Sequence, residues 1–301
     1  MTVLARRADA LRAGRVPFVL ATVVRAERPT SAKAGDRALV LSDGTIEGFV
    51  GGACAESTVR VQGLRLLESG ESTLLRITPT GGEPEVAAEG LVTVGNPCLS
   101  GGTLEIFLEA MLPPTLVHVH GDAPVARALV EVGAAAGYAV VSTSDPGEPV
   151  RADTTAVVVA SHGRDEEAVL QAALAAEVRY VALVASRRRG AAVLAALDVT
   201  DEQRARVRTP AGLDIGARTA GEIALSICAE IVATRPRAEW RPASPTASGT
   251  SPTTAADPVC GMPVAAVETS LHLDHADRTW YFCGTGCQRA FAAEPDRYLH
   301  T

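Results

Sequence analysis

Three cysteines late in the chain are spaced as metal ligands are. Cys283 and Cys287 flank the point where the apolar stretch "TWYF" gives way to a helix, and Cys260 lies upstream in the glycine-containing turn "DPVCGMP". A helix start favours the thiolate, the form that binds metal. Three thiolates suit a soft or borderline cation, zinc ahead of copper or iron, with a fourth position open to His272, His275 or an outside ligand. The plainer reading is three packed, reduced thiols. A module this short does gain from a metal staple, because its own core is small.

Two more cysteines sit in glycine bends, "FVGGACAES" (49–57) and "GNPCLSGG" (95–102). In the first, Gly51 and Gly52 let a ligand approach the backbone, and Cys54 precedes Glu56 at the start of a helix whose free amides suit an anion. The second places Cys98 before Gly101 and Gly102. A sulfur donor, a carboxylate and exposed amides together fit an anionic, metal-bearing ligand; ordinary tight turns with buried cysteines are the alternative. Cys228 lies beside the helical stripe Ile223, Ile227 and Ile231 and reads as a small packed hydrophobe. Six cysteines among 301 residues do not make a disulfide scaffold, so each needs one of these explanations.

A third constellation is built for phosphate. "HVHGDAPVARALVEVGAAAGY" (118–138) runs from a strand through Gly121 into a helix expected over 126–136. Where a dinucleotide fingerprint has its second glycine this chain has Ala123, followed by Pro124; the added methyl and the missing amide donor disfavour tightly bound NAD. Asp145 follows the next strand at a spacing close to that of a ribose-binding acid. His162 in "SHG" ends another strand, where ligands gather in parallel sheets. Ser186 is placed to cap the helix begun by "ASRRRG", with Arg187, Arg188 and Arg189 as positive charge near an anion site. Asp214 sits in the loop "GLDIGA". No Ser-His-Asp set or paired carboxylate is present at interpretable spacing, so no catalytic residue is assigned.

The elements that must position these groups are legible. An amphipathic opening helix, a β-branched strand over 18–27, a hairpin turning at Asp43-Gly44, a helix over 56–70 and three further strands predict a mixed α/β domain over 1–113. Over 114–236, strands alternate with helices of ten or more residues, as in a Rossmann-like parallel sheet. Residues 237–256 are rich in Pro, Ser, Thr and Ala and read as a linker. Residues 257–301 form a small separate, tethered module. The fold class is α/β throughout.

Composition narrows the function. A net charge of −7 leaves no general nucleic-acid footprint. No apolar run approaches the roughly 20 residues of a membrane span. The start lacks the apolar block of a signal peptide, so the expected location is cytoplasmic.

The last 45 residues or so resemble the YHS domain, a small metal-associated module, through Asp257-Pro258-Val259-Cys260-Gly261-Met262, Tyr281-Phe282-Cys283, Cys287, Phe291, Pro295 and Tyr298. The preceding part resembles the XdhC/CoxI family of accessory proteins for molybdenum hydroxylases, such as xanthine and carbon monoxide dehydrogenases. The matching segments are "ATVVR", "GGACAE", "CLSGGTLEIFLE", "HGRDEEAVLQAAL", "YVALVASRRR" and "PAGLDIGARTAGEIALSICAEI".

That resemblance implies a chaperone more than a catalyst. It would bind molybdenum cofactor (molybdopterin or its dinucleotide form) between the first two domains, support its sulfuration with a cysteine desulfurase, and deliver it to the apo-hydroxylase. Homodimerisation follows by family analogy. On this view Cys54 and Cys98 approach the molybdenum, and Glu56 manages protons or orients the site. Gly51, Gly52, Gly101 and Gly102 admit the pterin, and Ser186, Arg187 and Arg188 meet phosphate. Gly121, Asp145, His162 and Asp214 line the relaxed nucleotide crevice. Two rival readings are an NAD(P)-dependent oxidoreductase and a metal-handling docking factor led by the YHS domain.

Overall fold

A computed structural model of the chain describes residues 2–79, 86–88, 90–96, 102–234 and 253–299. They form two compact units, one built from the described residues up to Pro113 together with those from 253 onward, the other from Pro114 to Thr234. Cys98 and Gly101 lie outside the described residues.

The first domain comprises α1 (Val3–Ala13), β1 (Phe18–Ala26), β2 (Arg37–Leu41), β3 (Ile46–Gly48), α2 (Ala53–Ser69), β4 (Thr73–Thr78), β5 (Val86–Ala88), β6 (Leu91–Gly95) and β7 (Leu104–Met111). The strands make one sheet in the order β3-β2-β1-β7-β4-β6-β5, antiparallel except for the β4–β6 pair. Period-two alternation divides β1 between two layers. Phe18 and Leu20 pack against Ala8 and Leu11 of α1, while Val19, Ala21 and Val23 face the cluster that holds Ala55, Val59 and Leu66 of α2.

The second unit runs β8 (Leu116–His120), α3 (Pro124–Ala135), β9 (Ala139–Thr143), β10 (Thr154–Val159), α4 (Glu166–Ala175), β11 (Tyr180–Leu183), α5 (Arg187–Ala196), α6 (Asp201–Ala205), β12 (Val207–Arg208) and α7 (Ala220–Ala233). All pairs are parallel, in the order β12-β11-β10-β8-β9. Both faces are covered, as a fully parallel sheet requires. Val117, Val119, Ala156 and Val158 pack against α3 and α7; Val157, Val159, Val181 and Leu183 pack against α4 and α5. Cys228 is buried in the α3–α7 layer with Ile227 and Ile231, and burial pushes its thiol pKa up.

The module at the end of the chain contains β13 (Thr254–Ala256), β14 (Pro263–Ala265), β15 (Leu271–His275), β16 (Arg278–Phe282), α8 (Thr285–Ala293) and a 3₁₀ turn over Pro295–Tyr298. Two antiparallel hairpins and one helix surround Phe291, whose ring lies 5.4 Å from Phe282 and 5.5 Å from Trp280. Although a linker separates it in sequence, the module packs into the first domain. Met262, Val264, Phe282 and Phe291 belong to the same apolar cluster as Val23 and Val59, and Val61 and Leu64 of α2 meet Ala265 and Val267. The Asp43-Gly44 turn joins the contact, with Thr269 Oγ1 donating to the Asp43 carbonyl at 3.0 Å. A Cβ on Gly44, whose φ is +81°, would stand 2.8 Å from Val267 Cγ2. Among the described residues, no helix is long and apolar enough to cross a membrane.

α2 is therefore apolar on two sides because both are covered. Its closeness to the sheet depends on Gly63, where an added Cβ would meet Val40 Cγ1 at 3.0 Å and two more Val40 atoms at 3.2 Å. In an open helix Gly→Ala gains about 1 kcal/mol. Against an immobile core residue, overpacking costs about 1–3 kcal/mol. Gly63→Ala is thus expected to lower the urea midpoint, and the same substitution in a Val40→Ala background to raise it. A rise in both backgrounds contradicts the packing described.

Candidate functional site

Four side chains of the module converge. One ligand atom each from Asp257, Cys260, Cys283 and Cys287 lies within 4.8 Å of the other three. The Cys260 and Cys283 sulfurs are 3.5 Å apart, and those of Cys283 and Cys287 are 3.8 Å apart. The set is assembled by a tight turn and a helix start. Gly261, with φ +75°, lets the Asp257–Met262 segment close on itself. The buried Asp257 carboxylate then accepts the Val259 amide at 2.9 Å and the Cys283 amide at 2.8 Å, tying the Cys260 turn to the end of β16. The hydrogen bond between the Cys260 and Cys283 thiols holds Cys260 down to about 7 and pushes Cys283 up. Neither histidine joins them. His272 Nδ1 lies 2.8 Å from the Ser270 carbonyl, and His275 stands edge-on to Phe291 with centroids 5.8 Å apart. Asp257 was visible in sequence only as part of a motif, because its partners are backbone amides.

The first glycine–cysteine bend is the start of α2. The helix begins at Ala53, three residues earlier than the spacing predicts, with Gly52 as N-cap, so Cys54 and Glu56 both lie in its first turn. Gly51 is held at φ +139° and Gly52 faces open space. Burial pushes the Glu56 carboxyl up, partly offset by Arg60. Asn96, fully buried, is the second residue of the second bend. Its Nδ2 donates to the Cys54 carbonyl at 3.0 Å and to Thr58 Oγ1 at 3.1 Å. Asn96 is thus a positioning residue that sequence reading missed; its only signal was the turn-forming Asn-Pro pair. Gly102 faces the chain itself: a Cβ there would stand 2.2 Å from the Glu27 carbonyl oxygen.

In the second unit the predicted residues gather at one edge of the sheet. Gly121, Asp145, His162, Ser186 and Asp214 follow β8, β9, β10, β11 and β12 in turn, so parallel pairing sets them all at strand carboxyl ends. Strand order reverses between β8 and β10, the switch point at which such sheets take ligands. Gly121 and Ser161 flank it closely: a Cβ on Gly121 would lie 2.4 Å from the Ala160 oxygen. A cavity of about 390 Å³ lies beside this turn, lined in part by Gly121, Arg127, Ser142 and Thr143. The Gly121 amide is already donated to Thr143 O, at 2.8 Å. α3 starts at Pro124, two residues before the expected position, with buried Ala123 as N-cap and no side-chain cap. Ser186 caps α5, accepting the Arg189 amide at 3.3 Å. Arg187 and Arg188 are exposed, whereas Arg189 pairs with the buried Glu166, which also accepts the Gly163 amide at 2.9 Å and so holds the His162 loop. His162 has φ +55° and is exposed; Asp145 Oδ1 accepts the Gly147 amide at 2.9 Å within its own turn.

The thiol chemistry is directly measurable. In metal-free protein, iodoacetamide modification of Cys260 is expected to rise with a midpoint near pH 7, while Cys228 stays unmodified until the chain unfolds. Peptide mass spectrometry reads both. A Cys260 midpoint at the ordinary thiol value of 9.0 contradicts the paired arrangement.

Three family models match the chain: the XdhC and CoxI family over residues 11–78, the XdhC Rossmann domain over 117–231 and the YHS domain over 255–301. Among curated relatives, the Escherichia coli K12 protein named molybdenum cofactor insertion chaperone PaoD is 26% identical over 281 residues, covering 78% of this chain and 88% of PaoD. The uncharacterized protein YqeB of the same organism is 28% identical over 245 residues, covering 72% of this chain but only 43% of YqeB. A solved chain described as a xanthine dehydrogenase from Bacillus halodurans is 17% identical, with a TM-score of 0.38, covering 78% of this chain and 97% of that one. The chain is a member of the XdhC and CoxI family that also carries a YHS domain.

Proposed function

We propose that the chain is a maturation factor for a molybdenum hydroxylase, one that binds molybdenum cofactor as cargo and hands it on. The observation that carries this reading is the Asn96 clasp, which ties the start of the second glycine–cysteine bend to the first turn of α2. It belongs to a chain that aligns with a named insertion chaperone over most of both lengths. A helix start bearing Cys54 and Glu56 beside open Gly52 suits an anionic, sulfur-bearing centre. The uncapped start of α3 and the Ser186-Arg187-Arg188 segment suit the phosphate of a pterin or its dinucleotide. Ala123 and Pro124 make the turn a poor seat for a hydride-carrying dinucleotide. Sulfuration by a cysteine desulfurase and release to the apo-hydroxylase complete the reading; release requires the cargo to be held only moderately.

The test is co-purification. Full-length protein from a cell that makes molybdenum cofactor is expected to carry molybdenum and pterin together, and to leave NAD(P)H fluorescence unchanged on titration. Cys54→Ser is expected to fold and to lose cofactor at least about tenfold, roughly 1.4 kcal/mol of binding. Unchanged pterin content in the variant, or none in the wild type, overturns the reading.

A further inference from the structure

We infer that Cys54 is the fourth sulfur of a single four-thiol metal site, shared between the first domain and the module, that takes zinc or a similar thiophilic divalent cation. Cys54 points at the start of α8. Its sulfur lies 3.1 Å from where a Cβ on Gly284 would stand, so the glycine after Cys283 leaves room for a sulfur from another domain. The module's own thiols stand at 3.5 and 3.8 Å. Four sulfurs about 2.3 Å from a tetrahedral zinc lie about 3.8 Å from one another, so the two spacings within the module already suit the ion, and Cys54 has to close on it from the start of α2.

Electrostatics favour the same assignment. Four thiolates around a divalent ion carry two net negative charges. Two helices begin at this place, α2 at Gly52 and α8 at Gly284, and neither has a side-chain cap. Their amide ends supply partial positive charge where that surplus sits. Asp257 is the rival fourth ligand. Both its oxygens already accept backbone amides that build the turn, so its place is structural.

Metal bound this way bolts the module to α2. If the reading of Cys54 given above holds, it also withholds that sulfur from the cofactor; the site itself does not depend on that reading.

Full-length protein stripped of metal is titrated with cobalt(II), then with zinc against a chromogenic chelator. The wild type is expected to take one ion with a thiolate-to-cobalt charge-transfer band. Cys54→Ser is expected to lose about one quarter of that band and to bind zinc at least about tenfold more weakly, while Asp257→Asn keeps the full band. X-ray absorption of the wild-type zinc form, which requires no variant, is expected to count four sulfurs. Three sulfurs and one lighter atom, an unchanged Cys54→Ser spectrum, loss of the ligand in Asp257→Asn alone, or no stoichiometric metal each overturn the inference. Because cobalt and zinc report only on the thiols, such a failure leaves the cofactor reading standing.

Discussion

The burial of α2 on two sides is the constraint on which the first unit depends. A helix carrying Ala55, Val59 and Leu66 toward a sheet and Val61 and Leu64 away from it cannot leave the second set in water. Each such side chain is worth about 1.5–3 kcal/mol when fully buried. The module supplies the cover from within the same chain, where effective concentrations are in the millimolar range. Docking then has only about 4 kcal/mol to overcome, the equivalent of a millimolar dissociation constant. At about 1.5–3 kcal/mol for each buried side chain, Val61, Leu64, Val264, Phe282 and Phe291 together exceed that figure, so the contact does not depend on the tether.

Placing that cover fixes the chemistry. α2 begins at the glycine bend, so the element that organises the core also aims Cys54, and Asn96 holds its first turn against the end of β6. The module brings α8 to the same place, with Gly284 small enough to admit the Cys54 sulfur. In the second unit a different device does comparable work. Parallel strands deliver five loops to one edge, and the buried Glu166 with Arg189 fastens the His162 loop to the start of α5.

Much of this was legible in the chain. The continuous apolar run in "TTAVVVAS" and the helical stripe of "TAGEIALSICAEIVAT" read directly as strand and helix, because a sheet covered on both faces needs the first and a helix packed on one face needs the second. The short strand Val207–Arg208 was not legible, since two residues carry no period. Helix starts were read late at α2 and α3 because Gly52 has no side chain to mark a cap and Ala123 is a poor cap by residue type. The module's three cysteines were found by spacing. What spacing could not supply was their neighbour: Cys54 precedes Cys283 by more than two hundred residues, and only the docking of the module on α2 brings them together. The sequence leaves the fourth position open to His272, His275 or an outside ligand; the pairing of β15 with β16 turns both histidines elsewhere, toward Ser270 and Phe291.

The most direct test of that docking is to place a specific protease site within residues 237–252, cut the folded full-length protein there, and follow the two fragments by size-exclusion chromatography. An apolar interface on α2 predicts that the fragments elute together without metal and separate only in denaturant, with the α2 amides still slow to exchange hydrogen. Fragments that part on cutting, leaving α2 open to exchange, contradict the account.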